Sequence, residues 1–517
     1  MTSTRTAESF AGRDSSGAAP IGINGVVFAM AAFSSGIVLA VSAAFSIGDD
    51  ATDAAVFTVL AAVMIGLATP LRTRKFDART MRPVPTLSAV VMAYLAVGVL
   101  STIVYLSTGA IDRLDDALYE SITGVSTSSL TLFEDPSVLD RGELIWRSGT
   151  QWLGGLGALA LGVGLLPFLG GSPELADPRQ RGSRRLSLAP RPVPALKRVA
   201  VLYLIVSGVV IVALFAVGMS FTDAVAHMMS SVSTGGFSTH AEGIAHFDSL
   251  AIELTMIVVM AGAGFSLALV WMLYRGQFHD TRRVYELRVY GLVLMLASAW
   301  VFWLQRSDPG DVDDRIVDSV FTVVSLSTTT GHRTADWGLW EPGAALMLIL
   351  LMVVGGMAGS VAGGLRWFRV IGLTQFVWRE LQRQLHPRTV RSVKVGDTAI
   401  SEESVDRWHS QFVLMMAVVA PGAVLLAFFG SDINEAITLA LGAVSTTGPA
   451  LAEDGGALVS AASVSRIDRA VLMPMMLTGR VALYPAFVLI SVLFFHCQRQ
   501  AARLVFDRRI ARRRSRS

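Results

Sequence analysis

Residues Asp223–Phe237 read DAVAHMMSSVSTGGF, and the chain carries this pattern four times. It aligns without gaps with Asp116–Leu130 (DALYESITGVSTSSL), Asp318–His332 (DSVFTVVSLSTTTGH) and Glu435–Pro449 (EAITLALGAVSTTGP). An acid opens every copy: Asp116, Asp223, Asp318 and Glu435. Thirteen residues later stands a pivot: Ser129, Gly236, Gly331 and Gly448. Two positions before the pivot is always Thr (Thr127, Thr234, Thr329, Thr446), preceded by a hydroxyl residue (Ser126, Ser233, Thr328, Ser445). Internal repeats decide the fold before any local signal does. Four short loops rich in hydroxyls and glycine, set in an apolar chain, suggest a pore lined by four loops.

Composition agrees. The 517 residues are 52% hydrophobic and only 16% charged, which belongs to a polytopic helical membrane protein. A single cysteine, Cys497, excludes an intramolecular disulfide and a cysteine metal cluster. No cleavable signal peptide is evident, because residues 1–19 are polar and of mixed charge.

Crossing a bilayer as helix takes roughly 20 apolar residues. Such spans are predicted at about 21–47, 53–71, 84–108, 143–169, 197–219, 249–274, 285–305, 340–374, 409–430 and 469–497. The segments 72–83, 178–198, 275–288, 366–394 and 499–517 are rich in arginine, whereas the connections holding the repeated loops (FEDPSVLD, AEGIAHFD, SDPGDVDD, AEDGG) are acidic. By the positive-inside rule, every basic segment is cytoplasmic, every repeated loop is external and both termini are cytoplasmic. The predicted fold is all-α: four parallel helix–pore-loop–helix repeats with pseudo-fourfold symmetry, after an N-terminal helix pair. Its parts are a cytoplasmic tail 1–20, the helix pair 21–83, repeats at 84–180, 181–284, 285–395 and 396–500, and a basic tail 501–517. Inverted repeats would have opposite orientations; these four share one.

About ten residues separate each acid from its hydroxyl pair, roughly 15 Å of helix, which reaches half-way through the hydrocarbon. The acid suits the positive end of such a half-helix, and the C-terminal end turns partial negative charge toward the axis. Beyond it, non-helical strands can aim carbonyls and hydroxyls at a dehydrated cation, and bare backbone is tolerated at that depth only where it lines a cavity. The expected ion ligands are Thr127, Ser128 and Ser129, Thr234, Gly235 and Gly236, Thr329, Thr330 and Gly331, and Thr446, Thr447 and Gly448. The alternative is that Ser, Thr and Gly mark close helix packing.

Glycines recur after each filter, at Gly155, Gly262, Gly356 and Gly479. The third copy is the richest: VVGGMAGSVAGGLRWFRV, residues 353–370. Glycine costs about 1 kcal/mol relative to alanine inside a helix, so this span is expected to break and serve as a gate, formed by Gly355, Gly356, Gly359, Ser360, Gly363 and Gly364. The alternative is a small-residue packing ladder of Gly355, Gly359 and Gly363. Arg480 falls about 16 Å into the last span, where a charge is retained for function. It is assigned to the gate, facing the cavity beneath the filter.

Histidines add little. His240 and His246 with Glu242 and Asp248 read as a solvated outer loop rather than a metal site, and no nucleophile–base pair or phosphate loop gives an enzyme reading an anchor. A proton- or sodium-coupled symporter of small solutes would call for acids deep within spans, but Asp53, Glu143, Glu253, Glu286 and Glu341 all fall near span ends, which counts against obligatory proton coupling. A receptor-like structural protein leaves the four filters unexplained.

At VSTGGFSTH (232–240), RSGTQWLGGLG (147–157), GGMAGSVAGGLRWFR (355–369), STTGPAL (445–451) and TGR (478–480) the chain resembles the Trk/Ktr/HKT superfamily of potassium transporters. The resemblance implies potassium as the transported ion, with no cofactor in this chain. It also implies a gate at the third glycine-rich helix and an arginine at the place of Arg480. Further implications are a homodimer in the inner (plasma) membrane among its lipids, carried on cytosolic nucleotide-binding regulatory subunits of the TrkA type, and no nucleic-acid partner. Ser129 departs from the glycine usual in potassium-selective bacterial members, and a serine there accompanies sodium permeation in plant relatives. A sodium-permeable or weakly selective variant is thus the rival of the same class. Arg366 stands where relatives commonly have lysine.

Overall fold

The computed structural model describes residues 22–72, 82–166, 191–276, 284–307, 311–386, 392–396, 398–451, 458–459, 462–481, 483–488, 490–491 and 498. The leader, the basic tail, Cys497 and parts of the basic and acidic stretches named above lie outside the described residues.

The chain folds as helices. The first pair, α1 (Ile23–Ser46) and α2 (Ala51–Arg72), lies against α3 (Pro83–Thr108). Short α4 (Leu114–Val125) comes next, then α5 (Arg141–Leu159), which runs into a π-turn at Ala160–Leu165. The second unit is α6 (Pro192–Ala216), α7 (Phe221–Val232), α8 (Leu250–Gly264) and α9 (Leu267–Tyr274), the last two bent by 107° at their junction. The third is α10 (Tyr285–Leu304), α11 (Val312–Ser327), α12 (Pro342–Val354) and α13 (Trp367–Leu385). A two-stranded hairpin (Lys394–Val395 with Thr398–Ala399) leads to the fourth: α14 (Glu402–Phe428), α15 (Ile433–Ser445) and α16 (Arg466–Arg480).

Among the described residues, six helices are long and apolar enough to cross a membrane, seven counting the bent pair. Their outward faces are apolar, as at Val209, Val258 and Val424. Water would not favour such a surface, but hydrocarbon does, so this is an integral membrane protein. The span expected at 340–374 is not one helix: α12 stops at Val354 and α13 begins at Trp367.

The second helix of each unit packs on the short helix of the next. Thus α5 meets α7, α8 meets α11, α12 meets α15, and α16 returns to α4. The contacts close a ring, and each short helix points its C-terminal end into it. The acids expected near span ends stand at helix starts: Asp53, Glu253 and Glu286 in first turns, Glu341 at an N-cap, and Glu143 accepting from the Asp140 amide. A helix start favours an acid through its free amides and its dipole.

Candidate functional site

Each short helix ends in the same way. Thr127, Thr234, Thr329 and Thr446 take left-handed backbone angles, φ between 55° and 60°. The next amide then reaches back five residues: Ser128 to the Thr123 carbonyl (3.0 Å), Gly235 to Ser230 (2.7 Å), Thr330 to Ser325 (2.8 Å) and Thr447 to Gly442 (3.1 Å). This closure normally uses glycine. A β-branched residue there is an outlier costing about 1–3 kcal/mol. Its recurrence at one repeat position marks a place where strain accompanies function.

What the threonine adds is a hydroxyl. All four are fully buried. Those of Thr127, Thr234 and Thr446 have no hydrogen-bond partner among the described residues, while that of Thr329 accepts from the Gly363 amide at 2.8 Å. Buried orphan hydroxyls are costly.

The pivots meet at one point. Gly236, Gly331 and Gly448 have φ of 79°, 82° and 100°, which glycine adopts without strain, but Ser129 does not share this conformation. Close approach adds a second reason for glycine. A β-carbon on Gly331 would fall 2.5 Å from Ser129 Oγ and 2.6 Å from the Thr447 carbonyl; one on Gly448 would fall 2.5 Å from Ser129 Oγ. One on Gly236 would strike the Thr330 carbonyl and come 2.9 Å from Ser129 Cβ. The serine side chain thus occupies the space that its three neighbours leave vacant.

The glycine-rich segment 355–366 is a non-helical loop beneath this point, with positive φ at Gly355, Gly359, Gly364 and Arg366. The small-residue ladder therefore does not form. The loop bonds to the bend between α8 and α9: Met357 donates to the Gly264 carbonyl (3.0 Å), and Leu267 donates to that of Gly359 (2.9 Å). Any side chain on Gly363 would strike the Ser445 carbonyl. Gly356 lies close to Ala362, and Ser360 Oγ donates to the Met357 carbonyl. Gly262 faces open space, and Gly264 takes the tight position against Thr328 instead.

Arg480 is buried at the end of α16. It donates to the Val361 carbonyl of the loop (2.8 Å) and the Ser233 carbonyl above the loop (3.2 Å), and its Nε has no partner among the described residues. Glu286 holds the same loop from the other side, accepting from the amides of Ala358 (2.8 Å) and Phe368 (3.1 Å). The sequence marked Arg480 but not Glu286.

Cavities flank the convergence. One of about 410 Å³ is floored by Ser129, Gly236 and Gly331, and its wall includes His240 and Arg147. Burial pushes the His240 imidazole below its ordinary value, and the Asp223 carboxylate 3.5 Å away only partly offsets this. A second, of about 50 Å³, is lined by Gly363, Arg366 and Arg480. His227 donates from Nδ1 to the Asp223 carbonyl (2.9 Å) and accepts from Ser238 Oγ at Nε2 (3.0 Å), which makes it a strut between α7 and its loop.

A helical membrane protein whose buried hydroxyls and glycines converge between two cavities is of the transport class. The chain belongs to the TrkH family of cation transport proteins, whose profile it matches over residues 54–496. It is 31% identical to the Trk system potassium uptake protein TrkH of Halomonas elongata, across 74% of this chain and 79% of that protein. To the Trk system potassium uptake protein TrkG of Escherichia coli it is 28% identical, again covering 74% and 79%. The crystal structure of the potassium transporter TrkH from Vibrio parahaemolyticus superposes with a TM-score of 0.79 at 26% identity, covering 91% of this chain and 97% of that one.

Proposed function

We propose that this chain takes up potassium across the cell membrane through a pore with a four-loop filter and an intramembrane gate. One observation carries the reading: four strained threonines and their pivots, spaced identically in sequence, converge between an outer and an inner cavity. The names of the relatives agree with potassium as cargo.

In this reading the filter ligands are the residues of the four loops from Thr127, Thr234, Thr329 and Thr446 to their pivots, arranged in pseudo-fourfold symmetry. The ten spans are α1, α2, α3, α5, α6, α8 with α9, α10, α12 with its loop and α13, α14, and α16 with the apolar segment C-terminal to it. Both termini are cytoplasmic, and the protein sits in the inner membrane. The gate is the loop 355–366 together with Arg480: the loop fills the path below the filter and the guanidinium bridges loop and filter. A fixed cation in the path repels permeating cations until it is moved. The pore works as a homodimer on TrkA-like cytosolic nucleotide-binding regulatory subunits.

The test is flux into liposomes holding the purified protein, with potassium or sodium imposed as the only gradient. Potassium flux is the expected result. Flux of neither ion, from wild type and from an Arg480→Ala variant alike, sinks the reading.

A further inference from the structure

We propose that Gln151 and Arg147, one turn apart on α5, are positioning residues that set the pore's preference for potassium over sodium by bracing the first two filter strands. The proposal rests on the pore reading above.

The brace is peculiar to the first repeat. Gln151 and Arg147 lie four and eight residues before Gly155. At the same distances before Gly264, Gly356 and Gly479 stand Met260 and Met256, Met352 and Leu348, and Met475 and Val471. Only α5 places side-chain N–H donors there, and both are buried.

The amide of Gln151 spends every group on the filter. Its Nε2 donates to the carbonyls of Ser128 (3.1 Å) and Gly235 (2.7 Å), and its Oε1 accepts from the Phe237 amide (3.1 Å). Two carbonyls and one N–H fix which end of the amide is nitrogen. Ser128 and Gly235 are the residues immediately before the pivots of neighbouring strands, so a single side chain joins them at the same level of the filter. A side chain on Gly235 would collide with Gln151, so the contact is close along its length.

Arg147 ties the same strands one turn farther out. Its Nε donates to Glu120 (3.0 Å) and its Nη1 to the Ser238 carbonyl (2.9 Å), and its guanidinium lies 3.9 Å from the Phe237 ring centroid. Glu120 in turn accepts from Thr131 Oγ1 (2.7 Å) and the Leu132 amide (2.9 Å). The chain leaving strand one and the chain leaving strand two are thereby joined through one buried ion pair. A fully desolvated pair is a poor source of stability and is best retained for fixing one arrangement.

The consequence is for ion selection. A filter discriminates by the number, spacing and direction of its dipoles. Each carbonyl has two lone pairs, so one on Ser128 and one on Gly235 held by Gln151 fix the directions left for an ion. Release of the amide leaves both carbonyls free to rotate and close on a smaller ion.

The experiment measures the potassium-to-sodium permeability ratio, from reversal potentials in planar bilayers, for wild type, Gln151→Leu and Gln151→Glu, with Val258→Ala as control. Loss of the two hydrogen bonds to the carbonyls, at about 1 kcal/mol each, predicts about a 25-fold fall in the ratio for the leucine variant. The glutamate variant keeps the acceptor for Phe237 but has no donor and turns an oxygen toward both carbonyls, so its ratio falls at least as far; the control does not move. A role confined to stability would lower yield or melting temperature and leave the ratio alone; that outcome overturns the proposal. If the leucine variant does not fold, an unchanged ratio in the glutamate variant overturns it equally. A wild type that passes both ions alike also overturns it, because there is then no selection to position. A wild type that passes neither ion defeats the pore reading instead.

Discussion

The hydroxyl of Ser129 donates a 2.6 Å hydrogen bond to the carbonyl oxygen of Thr447, joining the first repeat to the fourth at the convergence of the loops. The Ser129 amide points at the same oxygen from 3.3 Å. A carbonyl holding two donors is a weaker cation ligand than a free one, because its lone pairs are occupied. The departure from glycine at this pivot therefore acts on a neighbouring strand as well as on its own.

Ser129→Gly removes the hydroxyl and leaves the Thr447 carbonyl with the amide donor alone. One hydrogen bond of about 1 kcal/mol corresponds to roughly fivefold in a binding ratio. The glycine variant is expected to favour potassium over sodium by about that factor more than wild type. Paired potassium and sodium fluxes in liposomes measure it, and an unchanged ratio removes Ser129 from the selectivity argument.

Thr234→Gly separates strain from function. Thr234 holds a φ of 56° with an orphan buried hydroxyl. Glycine relieves a left-handed penalty of about 1–2 kcal/mol, partly offset by the greater freedom of glycine in the unfolded chain. The variant should melt at or above the wild-type temperature in detergent and yet transport potassium more slowly. A lower melting temperature together with unchanged transport would mean that this threonine is a packing residue.

The repeats made much of this legible in sequence. The four threonines and pivots stand where the pattern placed them, the glycine-rich span breaks between Val354 and Trp367, and Arg480 is buried beside the loop. What the pattern did not show are bonds between repeats. Gln151 meets Gly235 across 84 residues and Arg147 meets Ser238 across 91, and no periodicity within one sequence reports such pairings. In sequence, strain falls to the pivots because glycine advertises left-handed angles; threonine in that role is visible only in the backbone. Glu286 reads in sequence only as an acid near a span end, because its partners are main-chain amides that carry no residue signature.

Arg480→Ala removes the bridge between the Val361 and Ser233 carbonyls and a fixed charge beneath the filter. Resting potassium flux is expected to rise severalfold, while Arg480→Lys, which keeps the charge but loses the fork, is expected to lie between the two. Loading of liposomes that enclose a potassium dye ranks the three. If alanine conducts no faster than wild type, the arginine is structural.

Glu286 supplies the last test, because it holds the glycine-rich loop from α10. One carboxylate oxygen accepts from Ala358 in the loop and Phe368 at the start of α13, so the loop and the helix after it are held to α10 together. In Glu286→Ala the buried Ala358 amide loses its acceptor, at about 1–3 kcal/mol, and so does the half-buried Phe368 amide. The loop should therefore sample open arrangements, raising basal potassium flux and exposing residues 357–361 to hydrogen exchange. Glu286→Gln keeps an oxygen in the same place and should stay near wild type in both measurements. If both variants leak equally, the charge and not the latch sets the gate; if neither does, the loop is held by its bonds to the α8–α9 bend, and Glu286 is dispensable.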